Sequence, residues 1–443
     1  MINKKSSWYE KLENAIIDAD IESLFKILLT IAVNEWASDI HIEVYSSYCR
    51  IRLRIDGILE ELIQYPPNIH ETIIAKFKIE SGQMRSDEKR LPQDARVSTA
   101  TLEGKEIDLR ANTLPTVFWE KLVLRIVDKS KKIPPLEVLG IEWVNKKILD
   151  KNLQTPNGII LTTWPTGSWK STTLYSAIST LNKVGVNITT YEDPVENKMD
   201  WLNQSQVRWD IGYTFASWLR AALRQDPDII MVWEIRDEET LETAMEAAMT
   251  WHLVFSTIHT NSAAETITRV FNMGAKPYML AGTFNLVMAQ RLGRKVCEHC
   301  KVDYNIKKDN PEMYRNMLDS LKSIKPEFLK QELKLRGITN EQWLKFIKDG
   351  IVSIGSWKDP KTWNICPVCG WSWEKWRVWL YEFMDYDDEL REKILSGASA
   401  LEIEKYALKE KWMINLERDG IFKVIKWWIN PNELYRLVKH KQY

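Results

Sequence analysis

A chain of 443 residues, 44% of them hydrophobic, is long enough for two or three packed domains. Lys+Arg and Asp+Glu are both 61, so the net charge is zero and nothing supports general nucleic-acid binding through a basic surface. No run of about 18 apolar residues occurs, which excludes a transmembrane helix, and the polar start MINKKSSWYEKLENAIIDADIE lacks a signal-peptide core.

Residues 1–30 read as an N-terminal segment of one or two helices. Residues 31–127 read as a small α/β domain. A strand pattern starts at Ala37-Ser-Asp-Ile-His-Ile-Glu43 and resumes at Arg50, where Ile51, Leu53 and Ile55 alternate with arginine. Asp56-Gly57 is a hairpin turn signal. A helix is expected over His70 to Ser81, then Leu91-Pro-Gln-Asp-Ala-Arg96 and further strands to Arg125. The arginines are either a solvated strand face or phosphate contacts made by a second domain. Residues 128–140 form a charged, Pro-containing linker, Asp128-Lys-Ser-Lys-Lys-Ile-Pro-Pro135 at its heart.

Residues 141–296 carry strand signals at Gly158–Thr163, Asn187–Glu192, Asp228–Val232 and Leu253–Thr257, separated by helix-length segments. That alternation predicts an α/β domain with a mostly parallel sheet. Within it, Gly158-Ile-Ile-Leu-Thr-Thr leads into Trp164-Pro165-Thr166-Gly167-Ser168-Trp169-Lys170-Ser171-Thr172, and a helix pattern follows. Strand, loop, Lys-Ser and helix is the layout of a phosphate-binding loop. Lys170 would reach the β/γ-phosphates and the Ser171 hydroxyl would hold Mg²⁺. The pattern calls for glycine at 164 and 169, where Trp stands. An indole at 169 would fill the phosphate space, and Trp does not easily take φ > 0.

Composition supplies an explanation. Glycine is 17 of 443 residues, about 3.8% against a usual value near 7%. Tryptophan, at 21 of 443, is unusually abundant. UGA and the glycine codon GGA differ by one base. A gene whose UGA codons are read as glycine, written out with UGA as tryptophan, would show this pattern. The alternative is a true Trp and a dead site.

Further acidic strand ends surround the loop. Asp226-Pro-Asp-Ile-Ile-Met-Val-Trp-Glu234 is an apolar strand ending in a carboxylate suited to organise Mg²⁺ and water. Thr190-Tyr-Glu192-Asp193-Pro-Val-Glu196 is a second, and one of its carboxylates would orient the attacking water. His259 follows a fourth strand, where it would sense the γ-phosphate. Residues 297–379 hold two Cys-x-x-Cys pairs, Cys297/Cys300 and Cys366/Cys369, which read as a Zn²⁺ site with a helical insertion looped out between them. Cys49 stands alone as a buried or idle thiol. Residues 380–443 look helical, with Trp427-Trp428 in an apolar, core-like stretch.

From about Ala37 to about Glu382 the chain resembles the secretion ATPases of type II secretion and type IV pilus assembly. Residues 164–172 are similar to Gly-Pro-Thr-Gly-Ser-Gly-Lys-Ser-Thr, Glu192-Asp-Pro-Val-Glu196 to the Asp box, Phe215 to Asp237 to the Walker B stretch, and Trp251-His252 to Asn261 to the His box. Cys366-Pro-Val-Cys369-Gly followed by Arg377-Val-Trp-Leu-Tyr-Glu382 is similar as well. Trp36, Trp119, Trp164, Trp169, Trp201, Trp218, Trp233, Trp251, Trp371 and Trp379 stand where that family usually has glycine.

The resemblance implies a RecA-like P-loop NTPase core with a smaller PAS-like N-terminal α/β domain, assembled as a homohexamer. It implies ATP, Mg²⁺ and Zn²⁺ as cofactors. Arg96 and Arg110, with Arg125 behind them, would neutralise phosphate charge. The expected location is the cytoplasm, peripheral to the inner face of the membrane, with an inner-membrane platform protein as partner and no direct nucleic acid. The tetracysteine region points to assembly or export rather than retraction. Two other readings stand beside this one: a non-hydrolysing ring subunit with a blocked site, and a DNA-uptake or conjugation motor of the same superfamily.

Overall fold

The computed structural model describes residues 7–128, 133–163, 170–208, 211–356, 358–359, 362–369 and 374–438. They divide into two compact units, one ending before residue 129 and one beginning at Ile133.

The first unit opens with helices α1 (Ser7–Ile17) and α2 (Ile21–Asn34). The Asp20 side chain accepts from the backbone N–H of Ser23 and caps α2. Leu24, Leu28 and Ile31 then fall on one buried face. Strands β1 (Asp39–Val44), β2 (Cys49–Ile55) and β3 (Ile58–Tyr65) follow, then helix α3 (His70–Ser81) and strands β4 (Gln93–Ala100), β5 (Glu106–Pro115) and β6 (Glu120–Asp128). They form a sheet in the order β3-β2-β1-β6-β5-β4. Phe77 of α3 meets Phe25 of α2 edge to face at 4.3 Å.

The alternation in β2 has a clear outcome. Ile51 and Leu53 are buried in the core, while the arginines between them reach the other face. There Glu43 takes Arg50 at 2.9 Å, Arg52 at 2.7 Å and Lys121 at 2.9 Å. Burial alone would raise the Glu43 carboxyl, but these three cations hold it down to about 2.

The second unit begins with α4 (Trp143–Leu153), β7 (Gly158–Thr163), α5 (Lys170–Leu181), β8 (Ile188–Glu192), β9 (Asn203–Gln206) and α6 (Phe215–Ala222). It continues with β10 (Ile229–Val232), α7 (Glu238–Met249), β11 (Leu253–Ile258), α8 (Ala263–Asn272), α9 (Pro277–Thr283) and β12 (Phe284–Val296). The sheet order is β15-β12-β7-β11-β10-β8-β9, β15 being Glu374–Asp385. All neighbours are parallel except β12 and β15. Every residue of β7, β8, β10 and β11 is buried, as expected for a parallel sheet covered on both faces. Gly158 starts the strand at φ +116°, and a Cβ there would meet the Asn285 amide at 2.1 Å, so only glycine fits.

Between the cysteine pairs lie β13 (Lys301–Asn305), α10 (Ile306–Asp309), α11 (Pro311–Lys322), α12 (Pro326–Leu335), α13 (Asn340–Leu344) and β14 (Ile351–Gly355). This is the expected helical insertion, with a two-stranded ribbon of β13 and β14 at its base. Arg336, fully buried at the end of α12, joins it to the core. Its guanidinium binds Glu332 at 2.7 Å, Glu142 at 2.6 Å and Asp419 at 2.7 Å. The C-terminal residues form α14 (Asp388–Leu395), α15 (Ala400–Lys409), α16 (Leu416–Ile425) and α17 (Pro431–Val438).

The expectation of helix from residue 380 needs correction. Residues 380–385 are the second half of β15, paired antiparallel with β12. Strand pairing across the intervening insertion overrides the local reading. Trp427 and Trp428, expected in the core, are only partly buried at the end of α16.

The Glu43 cluster yields a pH prediction. The folded pKa lies below the unfolded value of about 4.3, so its stabilisation is complete above that pH and is lost as pH falls towards 2. Urea titrations of Glu43→Gln should show a loss of about 3 kcal/mol at pH 7 and a flatter acid limb than the parent.

Candidate functional site

The carboxyl ends of the parallel strands gather the chemistry. Strand β7 ends at Thr163, and α5 opens at Lys170, so a strand and a helix bracket the expected loop. Trp164, Pro165, Thr166, Gly167, Ser168 and Trp169 lie outside the described residues, as do the side chains of Lys170 and Ser171. Thr172 is partly buried on the first turn of α5. Thr173 donates to Gln290 Oε1 of β12 at 2.9 Å and seats the helix on the sheet.

Thr163 ties this strand to the loop after β11. Its hydroxyl donates to the Thr260 carbonyl at 2.7 Å and accepts from the Thr260 N–H at 2.9 Å. The neighbouring His259 places Nε2 2.9 Å from Glu234 Oε1. Arg236 reaches the other oxygen of Glu234 at 2.8 Å. Glu234 is 4% exposed, so a carboxylate at the end of β10 is held from both sides in a desolvated setting. Its hydrogen bond also raises the Arg236 guanidinium, to which Asp193 contributes from the neighbouring strand end. The structure therefore brings Glu234, His259 and Asp193 to one place.

Glu192 behaves differently. It is fully buried and turned inward, accepting from the Tyr175 hydroxyl, from Thr190 Oγ1 at 2.7 Å and from Gln204 Nε2 at 3.0 Å. Burial raises its pKa against the pull of those donors. Three protein donors occupy its carboxyl group, which leaves Asp193 as the member of this pair near Arg236.

The arginines lie in the N-terminal unit. Arg96 faces Arg110 across β4 and β5, and Arg110 faces Arg125 across β5 and β6. Asp39 then stands between Arg125 and Arg54 in the same cross-strand row. Asp39 pairs with Arg125 at 3.1 Å and with Arg54 at 3.6 Å.

Several contributors escaped the sequence reading. Arg236 was visible in the Glu-Ile-Arg-Asp run but had no assigned role. The hydroxyl of Thr163 gave no signal beyond its place before the loop. Glu382, at the end of the Arg377–Glu382 stretch, accepts from the Ala263 N–H at 2.7 Å and the Leu416 N–H at 3.3 Å. It thereby caps both α8 and α16, and burial pushes its carboxyl up to about 7.

Cys297, Cys300, Cys366 and Cys369 are all buried, and their sulfurs lie within 4.8 Å of one another. Cys297 Sγ is 3.9 Å from Cys366 Sγ, and Cys300 Sγ is 3.4 Å from Cys369 Sγ. These separations are close to the edge of a tetrahedron of thiolates about 2.3 Å from a central ion. The four cysteines are unpaired by disulfides and can bind a metal.

A parallel sheet with a strand–loop–helix at its centre and buried acids at neighbouring strand ends defines an ATPase of the α/β class. The chain belongs to the family described as Type II/IV secretion system protein, which matches residues 14–436. It is 37% identical over 416 residues to the type IV pilus assembly ATPase PilB of Myxococcus xanthus, covering 94% of this chain and 67% of that one. It is 36% identical over 432 residues to the type II secretion system protein E of Aeromonas hydrophila, covering 97% and 78%. In fold it is similar to the Legionella pneumophila ATPase DotB, with a TM-score of 0.64, 20% identity and coverage of 94% and 95%. The pilus retraction motor PilT, solved with bound ADP, has a TM-score of 0.59, 23% identity and coverage of 94% and 97%. Among the described residues no helix is long and apolar enough to cross a membrane.

The cysteine geometry predicts one equivalent of a thiophilic divalent metal in purified protein, measured by elemental analysis. Cys300→Ser and Cys369→Ser should each lose it, together with proteolytic protection of the 301–355 insertion.

Proposed function

We propose that this chain is an Mg·ATP-hydrolysing motor for type IV pilus assembly or type II protein secretion. It works as a homohexamer at the cytoplasmic face of the inner membrane and acts on a membrane platform protein. The observation that carries this reading is Glu234, buried at the end of β10 between His259 and Arg236, with β11 alone separating β10 from β7, whose last residue is bonded to the His259 loop.

The residues fit the expected groups. A hydroxyl after the loop lysine and carboxylates at adjacent strand ends are the oxygen donors that Mg²⁺ prefers. When bound, the ion neutralises charge on the β- and γ-phosphates. Residues 164–169 cradle the phosphates, Lys170 grips them, and Ser171 and Thr172 supply hydroxyls at the start of α5. Glu234 orients the attacking water and receives its proton, with Asp193 beside it. Glu192 holds the strand end in place from within. His259 couples the state of the phosphate site to the α8 loop through Glu234. Arg96 and Arg110 offset phosphate charge as it develops.

The second unit is in this reading a RecA-like core extending over residues 141–296, with residues 297–379 as its zinc region and 380–443 completing it. The first unit is a PAS-like domain over 31–127, preceded by the 1–30 helices and followed by the 128–140 linker. Zn²⁺ is the metal of choice for four buried thiolates and would be structural, because all four positions are filled by protein. The processes follow from the names of the relatives, which assign pilus assembly and type II secretion to those proteins.

Trp164 and Trp169 favour a second reading, a ring subunit that holds its place in the assembly without hydrolysing nucleotide. The two readings part on kinetics. With glycine at both positions, Glu234→Gln should keep Mg·ATP binding and lose hydrolysis by about 100-fold or more, and Lys170→Ala should lose binding itself. ATPase activity unchanged by Lys170→Ala would overturn the motor reading.

A further inference from the structure

Six of the 21 tryptophans, at 164, 169, 209, 357, 371 and 373, lie outside the described residues, leaving fifteen. Seven of those fifteen have a left-handed backbone: Trp36, Trp201, Trp251, Trp363, Trp376, Trp412 and Trp427, with φ from +55° to +72°. Only a few per cent of non-glycine residues adopt such angles, and bulky side chains fewer still. Among the described residues just three other non-glycine positions do so, Ala19, Asp56 and Asp226, and Asp is one of the types that tolerates the region.

The hydrogen bonds say what these positions are. Helix α2 ends with Trp36 N–H on the Val33 carbonyl at 3.1 Å and Ala37 N–H on the Ala32 carbonyl at 2.9 Å. Helix α16 ends with Trp427 N–H on Val424 and Trp428 N–H on Lys423, both at 2.9 Å. Helix α7 closes the same way, with His252 N–H on Ala247 at 3.2 Å. These are left-handed C-terminal caps, in which the residue after the helix turns back to satisfy the last carbonyls. Three other helices of this chain end identically. Gly274 and Ala275 bond Phe271 and Val270, Gly337 and Ile338 bond Lys334 and Leu333, and Gly397 and Ala398 bond Ile394 and Lys393. There the left-handed residue is glycine.

The indoles gain little burial in return, although lysines lie over the rings of Trp36, Trp363, Trp412 and Trp427. Those of Trp36, Trp201, Trp251, Trp363 and Trp376 are 60–75% exposed. Trp412 packs edge-on against Phe328, but its Nε1 is buried with no acceptor, and so is that of Trp427. A tryptophan selected for its side chain would bury the ring and satisfy the N–H.

We infer that the native polypeptide carries glycine, not tryptophan, at these seven positions, through a UGA codon that the source cell reads as glycine. Trp363, Trp376, Trp412 and Trp427 match no motif glycine, so backbone geometry alone selects them. Trp119, Trp218, Trp233 and Trp379 do not share the left-handed geometry. The same codon reading, applied to 164 and 169, supplies the glycines that a phosphate-binding loop requires.

Peptide mass spectrometry of the chain isolated from its source cells tests the inference. Glycine at all seven positions is the expected result. Tryptophan at them would overturn it. Thermal unfolding of the recombinant chain provides a second reading. W36G, W251G and W427G should each raise Tm by about 2–4 °C, through relief of left-handed strain. Unchanged or lowered Tm in all three would show that the indoles belong there. Neither readout involves nucleotide. A chain with seven glycines and no ATPase activity would sink the motor reading and leave this inference standing.

Discussion

A backbone that turns into the left-handed region, or passes within contact distance of another group, has no room for a Cβ carrying a large ring. Much of this structure depends on that constraint. It closes the C-terminal ends of six helices, from α2 to α16. It lets β7 begin against the Asn285 amide. It also decides whether the loop between β7 and α5 can wrap phosphates. Where the constraint is met by glycine, the fold follows the ordinary chemistry of helix ends and tight turns. Where tryptophan is written, the same backbone persists and the indole is pushed into solvent or buried with an unsatisfied N–H.

The site is assembled by short bonds between strand ends rather than by any one element. Thr163 and Thr260 join the strand before the loop to the segment carrying His259. His259 and Arg236 grip Glu234 from opposite sides, and Glu382 fixes the start of the helix that follows His259. A change at the carboxyl end of β7 thus has a continuous bonded route to α8 and α16. The buried Arg336 cluster ties the insertion between the cysteine pairs to Glu142 and Asp419 of the same unit. In the first unit, Arg96, Arg110, Arg125 and Arg54 share one cross-strand row with Asp39, which pairs with Arg125 and Arg54.

Sequence patterns revealed those parts whose physics is local. Buried parallel strands read as apolar runs, so the four central strands could be placed within a residue or so. Asp56-Gly57 and the His70–Ser81 helix were legible for the same reason. Strand β15 was not, because its partner β12 lies across the whole insertion and its aromatic and charged residues carry no strand-specific period. Register is likewise invisible in a sequence, so the alignment of Arg96, Arg110 and Arg125 emerged only with the sheet. The Asp box suggested two equivalent carboxylates. Packing separated them, since Tyr175, Thr190 and Gln204 turn Glu192 inward. The four cysteines were legible as a set through their spacing, and the folded chain brings them together.

The central claim is that this fold binds and hydrolyses ATP when its loop carries glycine. The most direct test is Mg·ATP binding by calorimetry, comparing the chain with glycine at 164 and 169 to the chain with tryptophan at both. The account predicts binding by the first and none by the second. Equal binding by both would show that the indoles do not occupy the phosphate space. Absence of binding by both would contradict the assignment of residues 164–172 as a nucleotide site.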